Sequence, residues 1–188
     1  NIYLAVVEKV VPSMSAAFVN LGKGKTGYLP FKNVPAFWEK KEGDERSHKS
    51  PVYEGEKILV QVIKDESQWK SCSVTGNIEF PGKAMIYMPF GGYVAVSQKM
   101  DERDRQFWKN WALVKKKPKE GLLLRTYAQR VDPFYIEKEW EELRRIYEKV
   151  NRLASMAKAP SLLLEKDSFL DRVQALFERA KIEEVCCD

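Results

Sequence analysis

The amino-acid sequence predicts an α+β fold, in which a small β-barrel is followed by a unit that mixes strands with helices. Two observations support this prediction. Residues 1–76 form short apolar runs separated by turn residues, whereas later segments repeat apolar side chains at helical spacing. The 188 residues are 44% hydrophobic and 31% charged, which is the composition of an ordinary folded protein rather than a disordered one.

Five short strands are predicted in the barrel region. Pro12 and Ser13 supply one turn, and residues 22–25 supply another. The run EKKEGDERSHKSP at 39–51 has no hydrophobic period and predicts a long surface loop. Five strands with one long loop indicate an OB-fold, the five-stranded barrel that often binds nucleic acid. The predicted strands are 2–9, 16–20, 27–29, 57–63 and 72–75.

Residues 77–160 begin with further predicted strands. Met85–Met88 and Tyr93–Val96 flank Pro89 and the Gly91–Gly92 pair, and this arrangement predicts a β-hairpin. Gly121 then precedes a third apolar strand at 122–124. The region is therefore expected to contain a second, smaller sheet.

Two helices are predicted in the same region. Asp101 is a candidate cap for the first, whose buried side is expected to be Phe107, Trp108 and Trp111. Asp132 followed by Pro133 begins the second. Its apolar stripe is expected to pack on the sheet rather than to bind a ligand. The stripe consists of Ile136, Trp140, Leu143, Tyr147, Val150 and Ala154.

Residues 161–188 predict a strand, a helix and a strand. The first strand is 162–164, the helix is capped by Asp167, and the second strand is 185–187. A segment this short cannot form a stable core alone. It is therefore expected to belong to a larger domain or to dock on the preceding unit.

The charge distribution favours a polyanionic partner. The net charge is +5, and residues 77–160 hold 17 basic against 11 acidic side chains. A basic region attracts nucleic acid through counterion release, although excess lysine also serves solubility alone. The charge therefore makes nucleic acid a candidate partner, but solubility would explain the same excess of basic residues.

Apolar runs, cysteines and the first residue predict the cellular compartment and whether the chain is a fragment. No apolar run approaches the ~20 residues that span a bilayer, and no secretory leader is visible. The three cysteines are Cys72 and the adjacent Cys186 and Cys187, which suggest neither a disulfide framework nor a spaced zinc set. We therefore expect a cytoplasmic protein, and the first residue, Asn1, suggests an excised fragment.

Five segments, taken in order, resemble the amino-terminal half of the ribonuclease E/G family. They cover nearly the whole chain, so their order and spacing are more specific than any one of them. They are NIYLAVVEKVVPSMSAAFVNLGKGKTGYLP at 1–30, EGEKILVQVIKD at 54–65, FPGKAMIYMP at 80–89, GLLLRT at 121–126 and IEEVCCD at 182–188.

The resemblance implies a division of the chain into three parts. Residues 1–76 would be an RNA-binding domain of the ribosomal S-one type, inserted into an RNase H-like domain. Residues 77–160 would be a sensor for the 5′ end of RNA, and residues 161–188 would be a returning part of the RNase H-like domain.

The resemblance also implies where hydrolysis takes place. In the family, two aspartates of a later domain hold magnesium, which activates water against a phosphodiester. Nothing in the chain resembles that segment or the CPxC zinc link that joins subunits in many relatives. We therefore expect no catalytic residue, metal site or cofactor in this chain, magnesium in the missing catalytic domain, and a homo-oligomeric parent protein.

The RNA-binding residues implied by the resemblance are Phe18, Tyr28 and Lys70 on the barrel face, with Lys25 as a neighbour by position only. Flat rings on strands are stacking platforms for the bases of single-stranded RNA, and lysine neutralises phosphate. Local context alone favours a buried position for Phe18, inside AAFVN, and an exposed one for Tyr28, which follows a glycine. Only the resemblance places both rings on the surface.

The 5′-phosphate-binding residues implied by the resemblance are Arg125, Thr126, Gly82 and Ile86. A guanidinium binds phosphate through a charge-assisted fork, and a hydroxyl adds a hydrogen bond. A glycine lets backbone approach the phosphate, and an aliphatic side chain supports the terminal base. Without the resemblance, an arginine at a strand end is most often an ion-pair partner.

Three features depart from the family pattern. Ser97 is followed by Gln98 and Lys99, where relatives commonly have two arginines. Tyr127 replaces a small residue and could narrow the pocket or add a stacking ring. The run KKKPK at 115–119 is not a family feature, and a solvated loop is the default interpretation.

The expected function is RNA binding and 5′-monophosphate sensing for a ribonuclease E/G-like endoribonuclease, which cleaves single-stranded RNA in RNA processing and decay. One alternative is a stand-alone, non-enzymatic OB-fold RNA-binding protein. Another is an interaction scaffold whose basic face binds a protein. RNA binding should weaken steeply with ionic strength, which separates it from the scaffold.

Overall fold

The computed structural model describes residues 1–35, 50–65 and 71–165, and its first unit is a closed five-stranded β-barrel. The order around the barrel is β1-β2-β3-β5-β4, and β4 pairs back with β1. All neighbours are antiparallel except β3 and β5. The predicted barrel is confirmed. Its strands are β1 (Ile2–Val11), β2 (Ala16–Gly22), β3 (Lys25–Pro30), β4 (Lys57–Lys64) and β5 (Cys72–Thr75).

Small and β-branched side chains fill the barrel because alternate residues of every strand point inward. Gly27 is needed at the tightest place, where an added Cβ would lie 3.0 Å from side-chain carbons of both Val19 and Val74. The predicted loop at 39–51 lies almost entirely outside the described residues. Core residues shared by the five strands include Ala5, Val7, Ala17, Val19, Leu29, Ile58, Val60 and Val74.

A second sheet has four strands in the order β6-β7-β9-β8. The predicted hairpin between β7 and β8 is wrong, because β9 lies between them, antiparallel to β7 and parallel to β8. Gly91 and Gly121 let the two chain segments cross closely, since a Cβ on Gly91 would lie 3.0 Å from the Gly121 Cα. The strands are β6 (Phe80–Pro81), β7 (Met85–Met88), β8 (Val94–Val96) and β9 (Gly121–Leu124).

The first helix, α1 (Glu102–Lys115), is capped as predicted. The Asp101 carboxylate accepts a hydrogen bond from the Asp104 N–H at 2.9 Å. Its buried face differs from the prediction, because Phe107 is 51% exposed while Trp108 is buried with Ala112. Phe107 precedes Trp108, and consecutive helical residues point in different directions, so both cannot face the sheet.

The second helix, α2 (Pro133–Met156), packs on the sheet as predicted. Asp132 caps it by accepting a hydrogen bond from the Tyr135 N–H at 2.7 Å. Ile136, Trp140, Leu143 and Val150 are buried beneath it. Neither helix in the described ranges is both long and apolar enough to cross a membrane.

A last strand, β10 (Ser161–Leu164), pairs antiparallel with the beginning of β1, with Ile2 opposite Leu164. This is the strand predicted at 162–164. The predicted helix after Asp167 and the strand at 185–187 lie outside the described residues. β1 therefore pairs with β2, β4 and β10.

A buried polar network fixes α2 against the loop before β9. The Glu120 carboxylate accepts hydrogen bonds from Arg144, through Nε at 2.8 Å and Nη2 at 2.6 Å. It accepts a third from the Tyr87 hydroxyl at 3.1 Å. Burial by itself raises the pKa of Glu120, but the hydrogen bonds from Arg144 and the Lys117 N–H outweigh burial and lower that pKa. Burial and the neighbouring carboxylate raise the pKa of Tyr87.

Glu120→Gln is expected to lower the free energy of unfolding at pH 7 by about 1.5–3 kcal/mol, the range for hydrogen bonds to charged groups. Because the folded-state pKa of Glu120 is lowered, its contribution is present above the ordinary carboxyl pKa of about 4.3 and lost as the pH falls through the folded value. Chemical denaturation of both proteins across this range should show the difference shrinking in acid.

The matched control is Glu137→Gln, which removes a carboxylate from an exposed pair with Lys115. Its cost should stay below about 1 kcal/mol. Equal costs for the two variants would contradict a special role for the buried network.

Candidate nucleic-acid interface

Two aromatic rings lie side by side on the outer face of the barrel. Phe18 of β2 is directly opposite Tyr28 of β3 in the strand register, and their ring centroids are 5.8 Å apart at an interplanar angle of 57°. Both are half-buried, whereas Ala17 and Val19 on either side of Phe18 point into the core. Phe18 is therefore not a core residue, contrary to what its AAFVN context suggested.

The two rings belong to a row that has one residue on each of the five barrel strands. Lys9 of β1 is opposite Phe18, and Ser73 of β5 is opposite Tyr28. Lys64 of β4 is in turn opposite Ser73, and both lysines are exposed. We call Lys9, Phe18, Tyr28, Ser73 and Lys64 the barrel row.

Lys9, Ser73 and Lys64 could not be identified from the sequence, because only the strand register places them in the same row as the rings. Lys25, proposed as a neighbour, is exposed at the start of β3. Lys70, the third residue that the resemblance implied, lies outside the described residues. The barrel row therefore combines stacking surfaces with cations, which is the chemistry that single-stranded nucleic acid requires.

The second candidate site is at the end of β9, where Arg125 is exposed. Its guanidinium donates through Nη1 to the Gly82 carbonyl at 3.0 Å, and its backbone N–H donates to the Ala84 carbonyl at 2.8 Å. Gly82 and Arg125 share the lining of an open cavity of about 640 Å³ with Lys83 and Lys138. The structure thus brings together two of the four residues predicted for the phosphate.

The other two predicted residues lie beside this cavity rather than on it. The Thr126 hydroxyl is 2.9 Å from the Ser97 hydroxyl, next to Arg125 in the chain. Ile86 is half-buried on β7 opposite Leu123 of β9. Side chains alternate along a strand, so Leu123 and Arg125 point to the same face of the sheet, which also carries Ile86.

Glu139 of α2 is a residue of this site that sequence reasoning missed. Its carboxylate accepts three backbone hydrogen bonds at the turn between β6 and β7, from Lys83 N at 2.6 Å, Ala84 N at 2.9 Å and Met85 N at 3.2 Å. A Cβ on Gly82 would lie 2.7 Å from the carboxyl carbon. In the sequence, Glu139 is one of several acidic residues on a helix and carries no distinguishing signal.

Comparison with known proteins now decides the family. The model of the ribonuclease E/G family matches residues 79–188, more than half of the chain. The chain belongs to that family. Ribonuclease E of Synechocystis sp. is 32% identical over 191 residues, which include the whole chain and 28% of the relative. Ribonuclease G of Escherichia coli is 28% identical over 195 residues, which include the whole chain and 40% of the relative.

A third relative has a similar identity to the chain. The ribonuclease E/G-like protein of Pyropia yezoensis is 31% identical over 175 residues, which include 92% of the chain and 34% of the relative. The chain therefore spans between about a quarter and two fifths of the length of these ribonuclease E/G proteins.

The structure shows where the residues that depart from the ribonuclease E/G pattern lie. Gln98 and Lys99 are exposed just beyond Ser97, whose hydroxyl accepts a hydrogen bond from the Lys99 N–H at 3.3 Å. Tyr127 is half-buried and packs on the core of the second unit. Its ring lies 6.4 Å from that of Tyr135, with the Lys83 ammonium 4.2 Å above it. Tyr127 does not line the cavity of Gly82 and Arg125.

Two lysines of the KKKPK run at 115–119 bond to nearby residues. Lys115 pairs with Glu137 at 2.7 Å, and the Lys116 ammonium donates to the Lys117 and Pro118 carbonyls. These contacts agree with an ordinary surface loop. In the ranges that the structure describes, no group of three or more His, Cys, Asp or Glu residues could hold a metal ion.

Gly82→Ala is expected to displace the Glu139 carboxylate, because the new Cβ would overlap it and only the side chain can move. The Lys83 and Ala84 amide hydrogens would then lose their partner and exchange faster with solvent. Stability should fall by about 1–3 kcal/mol. Amide hydrogen exchange by NMR, together with chemical denaturation, measures both effects.

Glu142→Ala provides the control for this experiment. Glu142 lies on the same helix and lines the same cavity, but it makes no hydrogen bond to the turn within the described residues. Its removal should leave both amides protected. Unchanged exchange at Lys83 and Ala84 in the Gly82→Ala protein would contradict the predicted displacement.

Proposed function

We propose that the chain binds single-stranded RNA along the barrel row and recognises a 5′-monophosphate beside Arg125. It would thereby supply substrate binding and end sensing to an endoribonuclease of RNA processing and decay in the cytoplasm. The observation that carries this proposal is the exposed, oriented guanidinium of Arg125. Only one of its donors is used within the described residues, by the Gly82 carbonyl.

The free donors of Arg125 suit a terminal phosphate. A guanidinium has five N–H donors in a planar fork, and the hydrogen bond to Gly82 occupies one of them. A phosphate monoester offers several oxygens to the remaining fork, whereas a 5′-hydroxyl offers one neutral oxygen. The site therefore supports discrimination between the two kinds of RNA end.

The pair of hydroxyls beside Arg125 adds a second contact. One hydroxyl hydrogen is used in the bond between Thr126 and Ser97, so the other remains free to donate to a phosphate oxygen. On the same face of the sheet, Ile86 and Leu123 form a small apolar surface, which suits the terminal base. This arrangement supports the grouping of Arg125, Thr126 and Ile86 around one nucleotide.

The barrel row supports binding of RNA independently of its end. Phe18 and Tyr28 offer tilted ring faces on which unpaired bases can stack. Lys9, on the strand next to Phe18, and Lys64, two strands from Tyr28, would neutralise phosphates of the RNA backbone. Such binding tolerates different sequences because every base has a flat face. We propose that the barrel supplies affinity and that Arg125 supplies preference for the end.

Hydrolysis itself is proposed for the part of the relatives' length that this chain does not span. The chain covers 28% of the ribonuclease E and 40% of the ribonuclease G with which it was compared. In the whole protein, a magnesium-dependent centre and the contacts between subunits would lie there. The RNA path from the barrel row and the 5′ end from Arg125 would then be presented to that centre.

Arg125→Lys is expected to remove most of the preference for 5′-monophosphorylated RNA, because lysine keeps the charge but loses the fork. Wild type should prefer that RNA over its 5′-hydroxyl counterpart by roughly ten- to a hundredfold, because hydrogen bonds to charged groups contribute about 1.5–3 kcal/mol. Thr126→Val should lower the preference less. Fluorescence anisotropy with paired RNAs at one fixed salt concentration measures all three proteins.

Arg130→Lys is the matched control, since Arg130 is an exposed arginine in the same short helical turn, Thr126–Arg130. It should keep the wild-type preference. Equal wild-type affinity for the two RNAs would refute end sensing, and a full preference in Arg125→Lys would exclude Arg125 from it.

Tyr28→Ala is expected to weaken binding of 5′-hydroxyl RNA by ~1–3 kcal/mol, the contribution of one stacked base. The thermal midpoint should change little, because Tyr28 lies outside the core. Tyr93→Ala, which removes a ring that is 54% exposed in the second unit, should leave binding unchanged. A Tyr28→Ala protein that is less stable but binds normally would remove the ring from the proposed interface.

A further inference from the structure

One peptide group lies between two oppositely charged side chains. The Gly82 carbonyl oxygen accepts a hydrogen bond from Arg125 Nη1 at 3.0 Å. The N–H of the next residue, Lys83, donates to Glu139 Oε1 at 2.6 Å. These two atoms belong to the same planar peptide unit, so the orientation of one fixes the orientation of the other.

The charges match the polarity of that peptide unit. A peptide group carries a dipole of about 3.5 D, with its negative end at the oxygen and its positive end at the N–H. The cation of Arg125 faces the oxygen, and the anion of Glu139 faces the N–H. Hydrogen bonds arranged in a chain strengthen one another, so the Glu139 carboxylate makes the Gly82 oxygen a better acceptor for Arg125.

The Glu139 carboxylate is itself held firmly. Its second oxygen accepts hydrogen bonds from Ala84 N and Met85 N, so it makes three in all with the turn. Its backbone lies on α2 beside Trp140, which is buried. Glu139 therefore transmits the position of a well-packed helix to the turn.

The space around Gly82 allows this contact. A Cβ at residue 82 would lie 2.7 Å from the Glu139 carboxyl carbon and 2.9 Å from both carboxylate oxygens. The φ angle of Gly82 is not in the left-handed region, so backbone strain does not call for glycine here. The need for glycine comes from the close approach of the carboxylate.

We propose that Glu139 is a positioning residue for the recognition of 5′-phosphate. Through the Gly82–Lys83 peptide it orients the Arg125 guanidinium, although it does not touch the RNA. This inference rests on the proposed function of Arg125.

A carboxylate near a phosphate site could instead oppose binding, by repulsion or by occupying amides that the phosphate needs. The geometry favours positioning. In a trans peptide the oxygen and the N–H point in opposite directions, so Arg125 and Glu139 lie on opposite edges of the peptide. Glu139 also lines the cavity of Gly82 and Arg125, but its carboxylate already accepts from the three amides, so in the proposed role a phosphate bound by Arg125 would leave those amides to Glu139. The two roles also predict opposite results when the carboxylate is removed.

The test compares binding of paired RNAs, with a 5′-monophosphate and with a 5′-hydroxyl, by wild type, Glu139→Ala and Glu139→Gln. Glu139→Ala should reduce the preference about three- to tenfold, the effect of one orienting hydrogen bond, and should leave 5′-hydroxyl binding unchanged. Glu139→Gln keeps one acceptor oxygen and should lose less. If the alanine variant does not fold, as judged by its thermal midpoint, the glutamine variant carries the test.

Two further proteins separate positioning from simple electrostatics. Glu142→Ala removes a negative charge from the same cavity without touching the turn, so the preference should stay equal or rise slightly. In the Arg125→Lys background, Glu139→Ala should cause no additional loss, because both changes act through the same guanidinium.

The outcomes distinguish this inference from the proposed function. A wild type without preference would refute the proposed function and this inference with it. A preference that depends on Arg125 but is unchanged in both Glu139 variants would overturn the inference alone. A preference that rises in Glu139→Ala would identify a competing carboxylate, and equal weakening of both RNAs would identify a purely structural role.

Discussion

The burial of β1 on both faces is the constraint on which the rest of the structure depends. Tyr3 and Ala5 point into the barrel core, whereas Ile2 belongs to the core formed by the second sheet and the helices. A strand buried on two sides must be apolar at consecutive positions, and the first five residues after Asn1 contain no charged side chain. Because Ile2 is buried in the second core and β1 also pairs with β10, β1 is shared between the barrel and the core beside it. The two candidate sites are therefore parts of one folded body.

The two sites use different chemistry, and their separation follows from the fold. The barrel row lies on the outer face of a closed sheet, where rings and lysines occur in one row. Arg125 lies where β9 ends, and there the backbone of a neighbouring turn, rather than another side chain, supplies its partner. A strand end leaves donors and acceptors that the sheet does not use. Under the proposed function, affinity and end preference would therefore respond to different substitutions.

Local features of the fold could be predicted from the sequence, and pairings between distant segments could not. Asp101 and Asp132 were identified as helix caps because a cap bonds to residues three positions away. The predicted hairpin was wrong because β9, far along the chain, pairs with β7 in place of β8. For the candidate site, Arg125 was proposed from the resemblance of its Arg-Thr motif. Glu139 was missed because its partners are more than 50 residues away and its only distinguishing property is a contact.

The departure after Ser97 gives the Glu139 contact added weight. The family pattern that the chain resembles has two arginines at the positions of Gln98 and Lys99, whereas this chain has an amide and an ammonium there. A lysine offers a point charge without a planar fork, so in the proposed function discrimination by geometry would rest on Arg125. If one guanidinium provides the preference for a 5′-monophosphate, its orientation in the free protein matters more. An arginine that samples many rotamers must lose that freedom when it binds the phosphate, and the loss weakens binding. In the proposed positioning role, the peptide that Glu139 holds from α2 would reduce that loss before RNA binds.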